Sequence, residues 1–296
     1  MFPSRFRYEA PRSLEEAIEA LHDGGDDVKV LAGGQSLVPM MKLRFASPEM
    51  IVDINNVPGL AYHRADPDGS LHVGALCRHA DLEYSGLLKD TQPTMAAAAP
   101  LVADPLVRNR GTLVGSLCHA DPQGDWASVM LALGGSVIAQ GPSGRRSIPL
   151  AEFVTGPFQN VLSHDEIAIE AVVPKALGAR SGGYLKLERR VGDFATVGTA
   201  VAIETSAGTV TRAGIALTGV GGSTIGASQA AAALTGKPLT AESIAEAAEL
   251  AASAAQPRTD HRGTAEYKRQ LVRVFVSRIL RGTLPASTGA PGERAA

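Results

Sequence analysis

The sequence predicts an α+β chain of two parts that divide near residue 176. Three observations predict it. Over the first 176 residues, short apolar strand-like runs are interleaved with segments of helical period. Residues 175–183, rich in Gly, Ala and Ser, then read as a linker. Beyond them come three strand-like segments followed only by helical ones, the order expected of a small antiparallel sheet covered on one side by helices. A length of 296 residues suits one large domain or two ordinary ones.

Each element has a local reason. Ser13 and Glu16 make a capping box, and Leu14, Ala17, Ile18 and Leu21 follow on one helical face before Gly24-Gly25 ends it. Residues 28–32 read as a short buried strand running into Gly33-Gly34-Gln35-Ser36. Residues 50–54 form a second strand, stopped by Asn55-Asn56-Val57-Pro58-Gly59, and 71–75 a third. The Ala-rich run 94–102 is predicted helical, 104–111 irregular, 112–124 a loop and 125–133 a helix. Residues 136–140 and 145–148 flank the hairpin signal Gly141-Pro142-Ser143-Gly144, and 166–173 is a strand closed by Pro174. The second part holds strands at 184–189, 197–204 and 209–219, then helices at 225–234 and 241–255. A last helix at 264–281 carries Leu271, Val274, Phe275 and Ile279 on one side. The expected limits are 1–176 (subdomains about 1–57 and 58–176), 177–282, and a disordered tail over 283–296.

Composition excludes several classes. A net charge of −2 without a basic stripe argues against nucleic acid as a partner. No apolar run approaches the ~18–20 residues that cross a bilayer, so no membrane insertion is expected. Met1-Phe2-Pro3-Ser4-Arg5 has no apolar core behind it, so a cytoplasmic location without a signal peptide is the default expectation. Two cysteines, Cys77 and Cys118, cannot ligate an iron–sulfur cluster and read as free thiols. If the protein handles electrons, the carrier is organic or sits in another chain.

Four segments carry candidate chemistry. In Leu31-Ala32-Gly33-Gly34-Gln35-Ser36 a strand ends in two glycines and two small polar residues. Such a turn reads either as a simple tight turn or as a nest of backbone N–H groups for a pyrophosphate. Gly111-Thr112-Leu113-Val114-Gly115-Ser116 again mixes glycine with hydroxyls and is able to grip the other end of a diphosphate. Cys118, His119, Asp121 and Asp125 lie close together, yet their spacing matches no zinc pattern, and no metal site is expected. Asp125 reads as a helix N-cap or as a carboxylate for a ribose. Tyr184 and Lys186, two apart on a strand, share one face, which reads either as a solvated strand surface or as a cover for an aromatic ring with a positive charge beside it. None of the seven histidines sits in a nucleophile motif, and no catalytic acid–base set is expected.

In this order the segments resemble the FAD-binding medium subunit of carbon monoxide dehydrogenase and the FAD subunits of xanthine dehydrogenase-like molybdenum hydroxylases. The matching stretches begin with Leu31 through Leu37-Val38-Pro39, then Val52-Asp53-Ile54-Asn55, then Arg108-Asn109-Arg110-Gly111-Thr112 through Ala120-Asp121-Pro122. Arg189-Arg190-Val191-Gly192-Asp193-Phe194-Ala195 and Gln256-Pro257-Arg258-Thr259-Asp260-His261-Arg262-Gly263 complete them. The resemblance covers about 1–282. It implies the two-part FAD-binding fold of the vanillyl-alcohol-oxidase/PCMH type, a small α+β C-terminal domain with a three-stranded antiparallel sheet, and FAD between them.

The resemblance also assigns roles. Ala32, Gly33, Gly34, Gln35 and Ser36, flanked by Leu31 and Leu37, would bind the pyrophosphate, with Thr112, Gly115 and Ser116 on its other side. Asp125 would bond the adenosine ribose, Val102 and Ile167 would line the cofactor, Lys186 would lie near the flavin end and Tyr184 beside the ring. It implies an electron relay within a dimer of heterotrimers. A molybdopterin-binding large subunit hydroxylates the substrate, a [2Fe-2S] small subunit passes electrons on, and FAD here hands them to an acceptor. A self-contained flavin oxidoreductase and a FAD-deficient structural subunit are the alternatives. One residue departs from the family's Thr-Ile-Gly-Gly pattern: Val114 stands where the first glycine is expected. A β-branched residue takes positive φ poorly, so weaker FAD binding or a rearranged loop is predicted.

Overall fold

A computed structural model describes residues 2–284. Of the expected tail, Thr283 caps the last helix and Leu284 follows it, and 285–296 lie outside the described residues.

The N-terminal unit comprises β1 (Arg7–Glu9), α1 (Leu14–Gly24), β2 (Val28–Leu31), α2 (Leu37–Lys42) and β3 (Met50–Asp53). Its strands form a parallel sheet in the order β1-β3-β2. The Ser13 hydroxyl accepts the Glu16 N–H and starts α1, while the Glu16 carboxylate reaches the Arg12 N–H, one residue before the reciprocal capping-box position. Ala17, Ile18 and Leu21 bury the face the sequence marks as apolar, and Gly25 ends the helix with φ 71°.

The second unit contains β4 (His63–Ala65), β5 (Leu71–Gly74), α3 (His79–Glu83), α4 (Gly86–Thr91), α5 (Pro93–Ala98) and α6 (Pro105–Arg108). It continues with α7 (Leu113–His119), α8 (Asp125–Ala132), β6 (Ser136–Gly141), β7 (Gly144–Pro149) and α9 (Leu150–Phe153), then β8 (Val154–Gly156), β9 (Gln159–Asn160) and β10 (Ile167–Val173). Five strands make one antiparallel sheet in the order β4-β5-β10-β6-β7. Trp126 of α8 is fully buried in the core, its indole N–H donating to His79 Nδ1 at 3.0 Å. Such a pairing is what a buried indole requires.

The third unit is β11 (Ala179–Leu187), β12 (Val197–Ser206), β13 (Thr209–Thr218) and β14 (Ile225–Gly226), then α10 (Ser228–Leu234), α11 (Ala241–Ala254) and α12 (Ala265–Gly282). The sheet runs β11-β12-β13-β14. Ile244, Ala247, Ala248 and Ala251 of α11 and Val272, Val276 and Leu280 of α12 share a core with Val201, Ile203 and Ile215 of the sheet.

Three expectations are corrected. Residues 112–124 are not a loop throughout: α7 forms there, because Thr112 Oγ1 accepts the Gly115 N–H as an N-cap and Leu113, Val114 and Leu117 are buried. The linker at 175–183 is short, since Ala179–Gly183 already pair with β12. The C-terminal sheet has a fourth strand of two residues, Ile225–Gly226, taken from the start of the helix expected at 225–234.

Candidate functional site

The site begins where β2 runs out. Ala32 to Ser36 bridge β2 and α2, with Gly34 at φ 74°, a left-handed position that glycine takes without strain. Among the described residues, no protein acceptor takes the N–H groups of Gly33, Gly34, Gln35 or Ser36. The Ser36 hydroxyl makes no cap bond to α2. Successive unpaired donors around one left-handed glycine make an anion nest.

This loop is clamped to the second one. A Cβ on Gly33 would collide with the Arg110 carbonyl and stand 2.8 Å from the Gly111 α-carbon, so the two backbones are in contact. Asn55 and Arg78 tie them. Asn55 Nδ2 donates to the Ala32 carbonyl (2.8 Å), Arg78 Nη2 donates to Asn55 Oδ1 (2.6 Å), and Arg78 Nη1 donates to the Arg110 carbonyl (2.7 Å). The His79 N–H donates to the Gly111 carbonyl at 2.9 Å. Neither Asn55 nor Arg78 stood among the sequence candidates. Asn55 lies in a motif already quoted, whereas nothing local to Arg78 marks it.

From there α7 carries the site inward. Thr112 is buried and spends its oxygen on the helix cap, while Gly115 and Ser116 are half-buried. Val114 sits inside α7, 2% exposed, and is not among the positive-φ residues. The strain argued for it from the sequence is therefore absent: its backbone is helical and its side chain is core. Ser116 Oγ lies beside Gly124, 3.9 Å from where a Cβ would stand, and Gly124 is the N-cap of α8. Thr218 of β13 fixes this turn by donating to the Gly124 carbonyl (2.7 Å) and the Pro122 carbonyl (3.0 Å).

Asp125, at the first position of α8 rather than its N-cap, meets both predicted residues of β11. Tyr184 Oη donates to Asp125 Oδ1 at 2.6 Å and Lys186 Nζ to Oδ2 at 3.1 Å. Lys186 also donates to the Leu101 carbonyl, next to Val102, at 2.9 Å, and lies 3.3 Å from Glu188 Oε2. Burial pushes the Asp125 carboxyl up, against the opposing pull of Lys186 and the Tyr184 hydrogen bond; burial also holds the Tyr184 phenol well above its ordinary value. Separate roles for Asp125 at the adenosine ribose and Lys186 at the flavin end do not hold, because the two side chains touch. A ring-stacking position for Tyr184 is likewise not what its 3% exposure and its bond to Asp125 present. Ile167 is a buried core residue of β10 and takes no part in this cluster of hydrogen bonds.

The residues fit a dinucleotide because the nest carries unused backbone donors. The thiols take no part. Burial pushes both Cys77 and Cys118 up to about 12, so both are protonated and inert at neutral pH. No helix of the described residues is long and apolar enough to cross a membrane.

Comparison with known proteins agrees with this geometry. Residues 4–176 match the FAD binding domain in molybdopterin dehydrogenase, and residues 183–283 the CO dehydrogenase flavoprotein C-terminal domain. The chain is 39% identical over 280 residues to the carbon monoxide dehydrogenase medium chain of Hydrogenophaga pseudoflava, covering 95% of this chain and 97% of that one. It is 39% identical over 282 residues to the 6-hydroxypseudooxynicotine dehydrogenase complex subunit alpha of Paenarthrobacter nicotinovorans, 95% of each. A solved carbon monoxide dehydrogenase from H. pseudoflava superposes with a TM-score of 0.90 at 41% identity, covering 95% of this chain and 98% of that chain.

Proposed function

Because the chain belongs to the family of FAD-binding medium subunits of molybdenum hydroxylases, we propose that it is the electron-transfer flavoprotein of such a complex, taking electrons from a partner's iron–sulfur clusters and passing them to an external acceptor. The chain is an oxidoreductase subunit and its cofactor is FAD. When bound, FAD supplies a carrier that accepts electrons singly and delivers them in pairs.

The observation that carries this reading is the contact of two glycine-bearing loops with a row of unpaired N–H groups between β2 and α2. Gly33, Gly34, Gln35 and Ser36 would give backbone donors to the pyrophosphate, with Ala32, Leu31 and Leu37 shaping the turn. Gly115, Ser116 and the hydroxyl proton of Thr112 would serve its other side. Asp125, Tyr184 and Lys186 would meet cofactor hydroxyls from one shared place, with Val102 and Ile167 as apolar lining. Residues 1–176 would form the cofactor domain and 177–282 the domain that closes it, through Thr218 and Lys186.

The partners would be a molybdopterin-binding large subunit and a [2Fe-2S] small subunit, assembled as a dimer of heterotrimers. The large subunit would select the substrate. The test mixes oxidised, FAD-loaded chain with the dithionite-reduced small subunit in a stopped-flow instrument. Fast bleaching of the flavin band is expected. A flavin that ignores the reduced clusters, yet is reduced when the isolated chain turns over a small organic substrate, would favour the self-contained flavin oxidoreductase.

A further inference from the structure

We propose that His22, His164 and Asp165 form a binding site for a divalent ion of the Zn2+ class, which staples the end of α1 to the loop preceding β10. One ligand atom from each lies within 4.8 Å of the others. His22 Nδ1 is 3.4 Å from Asp165 Oδ2, and His164 Nδ1 is 3.8 Å from Asp26 Oδ1. Around one zinc ion, with bonds of ~2.0–2.2 Å, ligand atoms stand roughly 3–4 Å apart. Convergence therefore asks for side-chain adjustments of about an ångström, and both histidines are exposed enough to make them.

The donor set decides the ion. Two imidazoles and a carboxylate suit Zn2+ or Ni2+, whereas Ca2+ and Mg2+ require a shell of oxygens. The field favours a cation as well. His22 is in the last turn of α1, at the negative end of an 11-residue helix, and Asp23, Asp26 and Asp27 are exposed beside it. The opposing charge is Lys29, whose Nζ reaches the Asp26 carbonyl at 3.3 Å.

One side of the site is held rigidly. Glu166 accepts from the Ser163 N–H (2.8 Å) and from Arg146 Nε and Nη2 (2.7 Å each), which fixes the loop bearing His164 and Asp165. His22 and Asp165 are 143 residues apart in sequence, so no spacing motif announces the cluster. That separation also makes the staple effective, because it closes a long loop between the parallel and the five-stranded sheets.

The experiment uses the full chain, FAD-loaded, without a histidine tag, freed of metal by a chelator and titrated with ZnCl2 by calorimetry and thermal melting. One Zn2+ per chain and a raised Tm are expected. Losing a ligand should cost at least what losing a ligand's supporting partner costs, ~10–100-fold in affinity, so His22→Ala and His164→Ala should each weaken binding by that factor or more. Flavin absorbance and circular dichroism verify that both variants are folded. Equal Zn2+ affinity in the His22→Ala/His164→Ala double variant, or an equal Tm rise with MgCl2 at the same concentration, would overturn the site.

Discussion

Gly33 and Gly111 touch backbone to backbone: a Cβ built on Gly33 would stand 2.8 Å from the Gly111 α-carbon. They belong to different loops, and their contact turns two weak glycine motifs into one cradle. Gly33 is needed for the absence of a side chain between the two loops, and Gly111 for its closeness to the His79 ring, which a Cβ there would meet at 2.8 Å.

Gly33→Ala should therefore separate the loops. Overpacking of this kind costs about 1–3 kcal/mol, and here it falls on the bound geometry, so FAD affinity should drop roughly tenfold. Fluorescence quenching titration of apoprotein with FAD measures it. Gly86→Ala, whose Cβ would meet nothing within 4 Å, is the control and should bind as the parent does. Equal affinity in both variants would detach the loop contact from cofactor binding.

How much of this was legible beforehand depends on range. The start of α1 was readable because Ser13 and Glu16 are three apart, and Gly25 stops the helix by local geometry. α7 was missed because Thr112 and Gly115 look like loop residues; the burial of Leu113, Val114 and Leu117 by distant elements makes them a cap and a helical turn. Gly182 and Gly183 looked like linker. Gly182 is small because β11 passes close to its neighbours, and a Cβ there would meet Thr94 Oγ1 at 2.6 Å and Ala202 Cα at 3.0 Å. The meeting of Asp125 with Tyr184 and Lys186, 59 and 61 residues away, leaves no trace in spacing at all.

That meeting predicts a strong coupling. Lys186 neutralises Asp125 while its own side chain is 1% exposed, and Glu188 stands on its other side. Lys186→Met strands buried carboxylate charge and should destabilise the fold by about 3–5 kcal/mol. Asp125→Asn in the Lys186→Met background should recover part of that loss. Urea unfolding of the four members of the cycle reads the coupling. Additive losses would show that the pair does not act as a unit.

His79 predicts a pH dependence. Burial, then Arg108 and Arg78, lower its pKa from 6.5 to about 4, and its Nδ1 accepts the Trp126 indole N–H. Protonation would remove that acceptor. The unfolded state binds the proton more readily, so stability is fully present above about pH 6.5 and is lost as pH falls toward 4. A fall from 6.5 to about 4 corresponds to roughly 3 kcal/mol. Urea midpoints at pH 7.5 and 4.5 should differ in the parent and differ less in His79→Gln. An identical pH response in the two proteins would assign the effect to other groups.

Val114 gives the last prediction, and its direction reverses the one drawn from sequence. If the valine strained a phosphate loop, Val114→Gly would tighten FAD. The structure places Val114 in the first turn of α7, 2% exposed, packed in the main core. Glycine there removes a buried side chain and weakens a helix, together about 2–4 kcal/mol. The α7 turn that presents Gly115 and Ser116 would loosen with it. Stability should fall and FAD affinity should stay level or weaken, read by urea unfolding and by FAD titration on the same preparation. A glycine variant that binds FAD more tightly than the parent would restore the strained-loop account and count against the helical cap at Thr112 as part of the cofactor cradle.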